Sequence, residues 1–221
     1  MVSQLHTKSQ SQHLKLKANY QMSKEVEDFI KRNAADVIRS VQKTSLYPSV
    51  KMAQMIIESS GKDANGKFGI GKGLAVRKAN NYFGIKADRR WQGKKVALST
   101  PRDGKPVSYF RVYPTALDSM KDHTNFLLVN SRYKSHGVFT APNAELQTEA
   151  LQRAGYSESP NYSKVLRGLI NAYQLTELDK KKSHDDFTLL YVLGGTVVLA
   201  ATAFAFKNQS KEIITRKKQN T

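Results

Sequence analysis

The chain has 221 residues, no cysteine, and 36 lysines and arginines against 18 acids, a formal charge of +18. At 39% hydrophobic it can bury one medium domain with extensions. The absence of cysteine excludes disulfides, thiolate zinc sites and a cysteine nucleophile, and the positive excess suits a polyanionic partner: nucleic acid, an anionic membrane face or an acidic cell-wall polymer.

Residues 1–22 are rich in Gln, Ser, Lys and His and contain no apolar run, which predicts a disordered basic leader without a signal-peptide core. Residues 23–43 predict an amphipathic helix. Ser23 is its cap, Glu25 and Glu27 lie in the favourable first turn, and Val26, Phe29, Ile30, Ala34, Val37, Ile38 and Val41 form the buried stripe. A second helix begins at Pro48, which needs no N–H at the first helical position, and Gly61 suits the left-handed position past its end. Its stripe is Val50, Ala53, Ile56 and Ile57, followed by Glu58 in the last turn. Apolar neighbours and the negative end of a helix both disfavour an anion there, so both raise the carboxyl pKa. A Glu in that state can act as a general acid; on this stretch alone, a surface Glu on a frayed last turn is the favoured reading.

Residues 61–73 are rich in glycine. Gly61 to Lys67 and Gly66 to Lys72 have phosphate-loop spacing, but Phe68 and Gly73 stand where Ser or Thr is required, and the loop follows a helix instead of a strand. Nucleotide binding is therefore excluded, and the segment is expected to be a flexible rim beside a cleft. Leu74 to Asn80 predicts a short helix, and Trp91 to Tyr113 a β-hairpin with Pro101-Arg102-Asp103-Gly104 as its turn. Thr115 and Asp118 make a capping box for a helix to about Val129 that buries Leu117, Met120 and Leu127. Asn143 caps another that Gly155 ends, and a last helix from Pro160 to Tyr173 buries Val165, Leu166, Leu169 and Ile170.

Five segments result: a leader (1–22), a mainly α-helical domain with one small β-hairpin lobe (23–178), a charged linker (179–186), a C-terminal transmembrane helix (187–206) and a basic tail (207–221). The run from Phe187 to Phe206 has no charge and, as a helix, spans roughly 30 Å, one bilayer core. Lys180 to Lys182 precede it and Lys207, Lys211, Arg216, Lys217 and Lys218 follow it, so the positive-inside rule leaves its orientation open. The five histidines form no His-Glu-x-x-His pair, and there is no Gly-x-Ser-x-Gly elbow. Neither a metal nor a cofactor is expected, and with basic residues spread along the chain and no nucleic-acid motif, nucleic acid is not expected as a partner.

Several segments in order resemble a known family: Tyr47-Pro48-Ser49-Val50 leading to Ala53-Gln54 and Glu58-Ser59; Asn80-Asn81-Tyr82-Phe83-Gly84-Ile85-Lys86-Ala87; Trp91-Gln92-Gly93-Lys94; Phe110-Arg111-Val112-Tyr113-Pro114; Arg132-Tyr133; and Ala154-Gly155-Tyr156 with Pro160-Asn161-Tyr162. As a set they resemble the glucosaminidase domain of glycoside hydrolase family 73, over about residues 25–178. The resemblance implies a lysozyme-like fold with a β-lobe over a cleft, and cleavage of the β-1,4 bond after N-acetylglucosamine in peptidoglycan glycan strands. It also implies Glu58 as general acid, Tyr156 as a cleft tyrosine, and Asn81, Phe83 and Gly84 as the substrate-binding segment. Tyr156 and Phe83 read equally as core aromatics. The family's second Glu, in a Thr-x-Glu turn, is missing. Arg102 stands at or beside its place, and Asp103 is the nearby carboxylate, open either as second catalytic group or as ordinary Asp-Gly turn chemistry. The substrate's own acetamido group is the alternative to a second carboxylate.

The resulting expectation is a membrane-anchored peptidoglycan hydrolase of the endo-β-N-acetylglucosaminidase type, acting in wall remodelling or lysis. A non-catalytic wall-binding module at the membrane is the alternative. The catalytic domain is expected to face the wall, either through an N-out orientation or, in a phage lysis protein, through release when the membrane fails.

Overall fold

The computed structural model describes residues 24–98 and 107–182. The leader 1–22, the Ser23 cap, the turn that holds Arg102 and Asp103, and the apolar run 187–206 with its basic tail lie outside the described residues. Residues through Asp179 form one unit and Lys180 begins a second.

Helix α1 covers residues 24–41 and buries Val26, Phe29, Val37, Ile38 and Val41, with Ile30 and Ala34 half-buried beside them. Helix α2, Pro48–Glu58, is the centre of the unit: every residue from Pro48 to Ile56 is buried, Lys51 and Gln54 included. An apolar stripe alone does not predict that; the polar positions are buried because other helices close on them and supply partners. The start of α2 is capped from a distance. Tyr47 holds the N-cap position without a side-chain cap. Its N–H donates to Gln147 Oε1 at 2.9 Å, while the Ser49 N–H and hydroxyl donate to the two Asp179 oxygens at 2.8 and 2.7 Å. An anion at that end complements the helix dipole.

The glycine-rich segment is an ordered hairpin, not the flexible rim expected. Strand β1, Gly61–Lys62, pairs antiparallel with β2, Phe68–Gly69, and Asp63 Oδ1 accepts from the N–H groups of Asn65 and Lys67 in the turn. Gly61 does not take the left-handed conformation. Its glycine is required by close approach, since an added Cβ would lie 2.7 Å from Gly73 Cα. Helix α3, Leu74–Ala79, ends at Asn80, which is left-handed at φ 48°.

The second hairpin pairs β3, Lys95–Ala97, with β4, Tyr109–Arg111, in the register Lys95 to Arg111. Thr115 and Asp118 form the full capping box of α4, Ala116–Val129; Met120 and Leu127 are buried, and Leu117 is half-buried. A short α5, Ser131–Ser135, follows that the sequence reading did not separate. Asn143 caps α6, Ala144–Arg153, by accepting from the Leu146 N–H at 2.9 Å. Helix α7, Tyr162–Ala172, buries Leu166 and Ile170, but Val165 is 48% exposed because its face turns away from α2 and α6. Residues 176–182 form α8, although 179–182 were expected as linker. Leu175, just before it, and Leu178 are buried in the core of the first unit. Among the described residues no helix is long and apolar enough to cross a membrane.

Candidate active site

Helix α2 ends by delivering Glu58, half-exposed, from a buried scaffold. Burial raises the Glu58 carboxyl above its ordinary value, and a hydrogen bond from Tyr162 partly offsets the rise. The Tyr162 hydroxyl donates to Glu58 Oε1 at 3.2 Å and accepts from Gln54 Nε2 at the same distance. Gln54 and Glu58 stand four residues apart and so share one helical face. Tyr162, the first residue of α7, is 4% exposed, and burial next to Glu58 holds its phenol protonated far above the usual range.

Tyr156 is aimed by the way α6 ends. Gly155 takes φ +67°, its N–H donates to the Gln152 carbonyl, and the Tyr156 N–H reaches back to the Leu151 carbonyl at 3.0 Å. These two bonds define a Schellman motif, which only a residue at ease with positive φ completes. The Tyr156 ring then stacks on Tyr162, with centroids 5.5 Å apart and planes 18° apart. Its hydroxyl lies 2.9 Å from His123 Nε2. Burial raises the Tyr156 pKa well above its ordinary value, and Tyr162 and Glu58 push it further. Tyr156 is half-buried, in contact with both the core and the site.

The segment after α3 reaches Tyr156 through His123. Phe83, 5% exposed, stacks on His123 at 3.9 Å with an interplanar angle of 8°, and Lys51 Nζ lies 5.4 Å from the Phe83 centroid. Gly84 is exposed at φ +61°, the conformation that lets the chain reverse after Phe83. Asn81 is fully buried: its amide donates to the Ile85 and Arg111 carbonyls, and its oxygen accepts from the Ile85 N–H. Its contacts hold the loop together and join it to β4. Asp103 lies outside the described residues. A hollow of about 360 Å³ lies between the 88–91 loop, β4 and α4, with Trp91, Arg111, Asp122, Asn125 and Phe126 among its walls.

Glu58, Tyr156 and Phe83 are thus joined through two residues that the sequence reading left out of the site, Tyr162 and His123. Tyr162 had a signal in the Pro-Asn-Tyr segment, and Gln54 in its spacing to Glu58. His123 had none, since a single histidine on a helix reads as core. Among the described residues no group of three His, Asp or Glu side chains is placed to hold a metal.

The profile of the family described as mannosyl-glycoprotein endo-beta-N-acetylglucosaminidase matches residues 34–175. Peptidoglycan hydrolase FlgJ of Escherichia coli strain K12 is 30% identical over 181 residues, 75% of this chain and 56% of FlgJ. Exo-glucosaminidase LytG of Bacillus subtilis strain 168 is 30% identical over 147 residues, 63% of this chain and 48% of LytG. The chain therefore spans about half the length of these curated relatives. The crystal structure of the catalytic domain of the autolysin Auto from Listeria monocytogenes has the same fold, with a TM-score of 0.57 at 28% identity over 70% of this chain and 88% of that one. Glu58, Tyr156 and Tyr162 all fall inside the matched residues, and the chain belongs to the glucosaminidase family of glycosidases.

Proposed function

We propose that this chain is a peptidoglycan hydrolase that cleaves β-1,4 bonds within the glycan strand, with Glu58 as general acid. The observation that carries this reading is the raised Glu58 carboxyl, half-exposed and hydrogen-bonded to Tyr162. A carboxyl raised in this way keeps its proton to higher pH than an ordinary one, and that proton goes to the leaving glycosidic oxygen as that bond breaks and an oxocarbenium-like charge develops. Tyr156, stacked on Tyr162, holds the sugar at the reacting position. Phe83 and Gly84 shape the cleft wall, with Asn81 holding that wall in place. The names of FlgJ, a peptidoglycan hydrolase, and LytG, an exo-glucosaminidase, support the substrate and the bond class.

Release of reducing ends from purified peptidoglycan tests the assignment. Glu58→Gln is expected to lose on the order of 10²-fold or more, and undiminished cleavage would sink it. Asp103 is the proposed second group, and Asp103→Asn is expected to abolish most activity. Full activity in that variant would point to assistance from the substrate's acetamido group. A wild-type chain that binds sacculi but releases no reducing ends would establish the wall-binding alternative that Arg102 motivates.

The charge-free run 187–206 supports a membrane anchor at the C-terminus. The full chain is expected to sediment with membranes and to resist alkaline extraction, and a chain ending at 186 is expected to be released. Protease access to the domain in spheroplasts reads which side it faces.

A further inference from the structure

His123 is fully buried on α4 with one ring nitrogen engaged and the other not. Nε2 lies 2.9 Å from the Tyr156 hydroxyl, while Nδ1 has no hydrogen-bond partner among the described residues. Phe83 lies flat on the ring at 3.9 Å, which fixes the imidazole plane, and Tyr156 meets it edge-on at 5.7 Å. A flip of the ring in that plane would put a carbon against the Tyr156 oxygen, so the contact of Nε2 with Tyr156 is its one polar engagement among the described residues.

Two arrangements satisfy that contact. If the phenol donates to Nε2, the histidine proton sits on Nδ1 as a buried N–H without an acceptor, and the hydroxyl has no hydrogen left for the cleft. If Nε2–H donates to the phenol oxygen, Nδ1 is left as a bare acceptor. Buried orphan donors are rarer in folded proteins than under-used acceptors, which favours the second arrangement. The imidazolium, which would need partners for two N–H groups, is disfavoured by burial and by the neighbouring Lys51, both of which push the His123 pKa well down.

We propose that His123 is a positioning residue that donates its Nε2–H to the Tyr156 oxygen and so turns the phenol hydrogen outward, toward an oxygen of the bound sugar. This rests on the reading of Tyr156 as a residue of the glycan cleft. It makes Tyr156 a hydrogen-bond donor to substrate whose own oxygen is already engaged, and it gives the buried histidine a task that packing alone does not.

A long-range proton–nitrogen correlation spectrum of the full-length chain, labelled with ¹⁵N in histidine, reads the tautomer without any substitution. The expected result is His123 with Nε2 protonated and Nδ1 bare; a protonated Nδ1 would overturn the inference. In kinetics on solubilised glycan, His123→Gln, whose side-chain amide can place an N–H near the Nε2 position, is expected to keep most of kcat. His123→Leu is expected to lose on the order of tenfold in kcat with KM little changed. Equal losses in both variants would also overturn it. Tyr156→Phe separates the two layers. Full activity in that variant overturns the cleft role of Tyr156 itself. Low activity together with a protonated Nδ1 overturns the role of His123 alone.

Discussion

Glu58 combines a cost in stability with its proposed task. Burial raises its carboxyl, so the folded chain holds that proton to higher pH than the unfolded chain does. The stability this contributes is complete below the ordinary carboxyl value and is lost as pH rises through the raised one. Glu58→Gln keeps the shape but cannot ionise. It is expected to melt higher than wild type at neutral pH and equally at acid pH, while activity is lost, a trade between stability and function. Tyr162 works in the opposite direction, because its hydrogen bond favours the ionised carboxylate. Tyr162→Phe removes that bond and is expected to raise the Glu58 pKa, so the alkaline limb of the kcat/KM profile moves to higher pH. A limb that stays in place or moves down would show that Tyr162 does not set the acid.

At the scale of elements, the ends of helices place the chemistry. The turn past α6 aims Tyr156, and it depends on Gly155 at φ +67°. An added Cβ there meets nothing within 4 Å, so Gly155→Ala carries a backbone cost alone, about 1 kcal/mol. Its expected signature is a small loss in denaturant midpoint with a disproportionate loss in kcat, because Tyr156 moves. At the start of α2, Asp179→Ala is expected to cost about 1 kcal/mol in the same measurement, since two hydrogen bonds and a favourable charge at the helix N-terminus are lost together. Local signals carried most element boundaries: Pro48 at the start of α2, the Thr115 and Asp118 box, the Asn143 cap and Gly155. The misreadings share a cause. Gly61 reads as a helix terminator until the chain is seen to bring Gly73 against it. Val165 reads as core because it continues the apolar stripe of α7 past Leu169, on the edge that the packing of α7 leaves exposed.

Across the molecule, the hairpin lobe is tied to the helices by charge. Arg111 on β4 donates to Asp122 on α4 at 2.9 Å, and the Tyr113 hydroxyl donates to the same oxygen at 2.6 Å. Both side chains of the ion pair are largely buried. Asp122→Ala leaves two donors without their acceptor and is expected to cost about 2 kcal/mol, read by chemical denaturation. The charge of +18 acts at longer range. Retention on purified sacculi is expected to weaken as salt rises, because screening shortens the reach of surface lysines and arginines. Retention that does not respond to salt would assign binding to the cleft alone.

The order of motifs, the mainly helical pattern with its 95–111 hairpin, and Glu58 at the end of an apolar helix were legible in the sequence, because each depends on local periodicity or on residues a few positions apart; the 61–69 hairpin was not. The partners of Glu58 were not. Tyr162 lies 104 residues further along and His123 meets Tyr156 across 33. Contacts at such separations leave no periodic trace; they exist only once α2, α4, α6 and α7 pack. Burial decided the rest. It changed Lys51 and Gln54 from polar gaps in a stripe into bonded core residues, and it enclosed Asn81 in hydrogen bonds to Ile85 and Arg111.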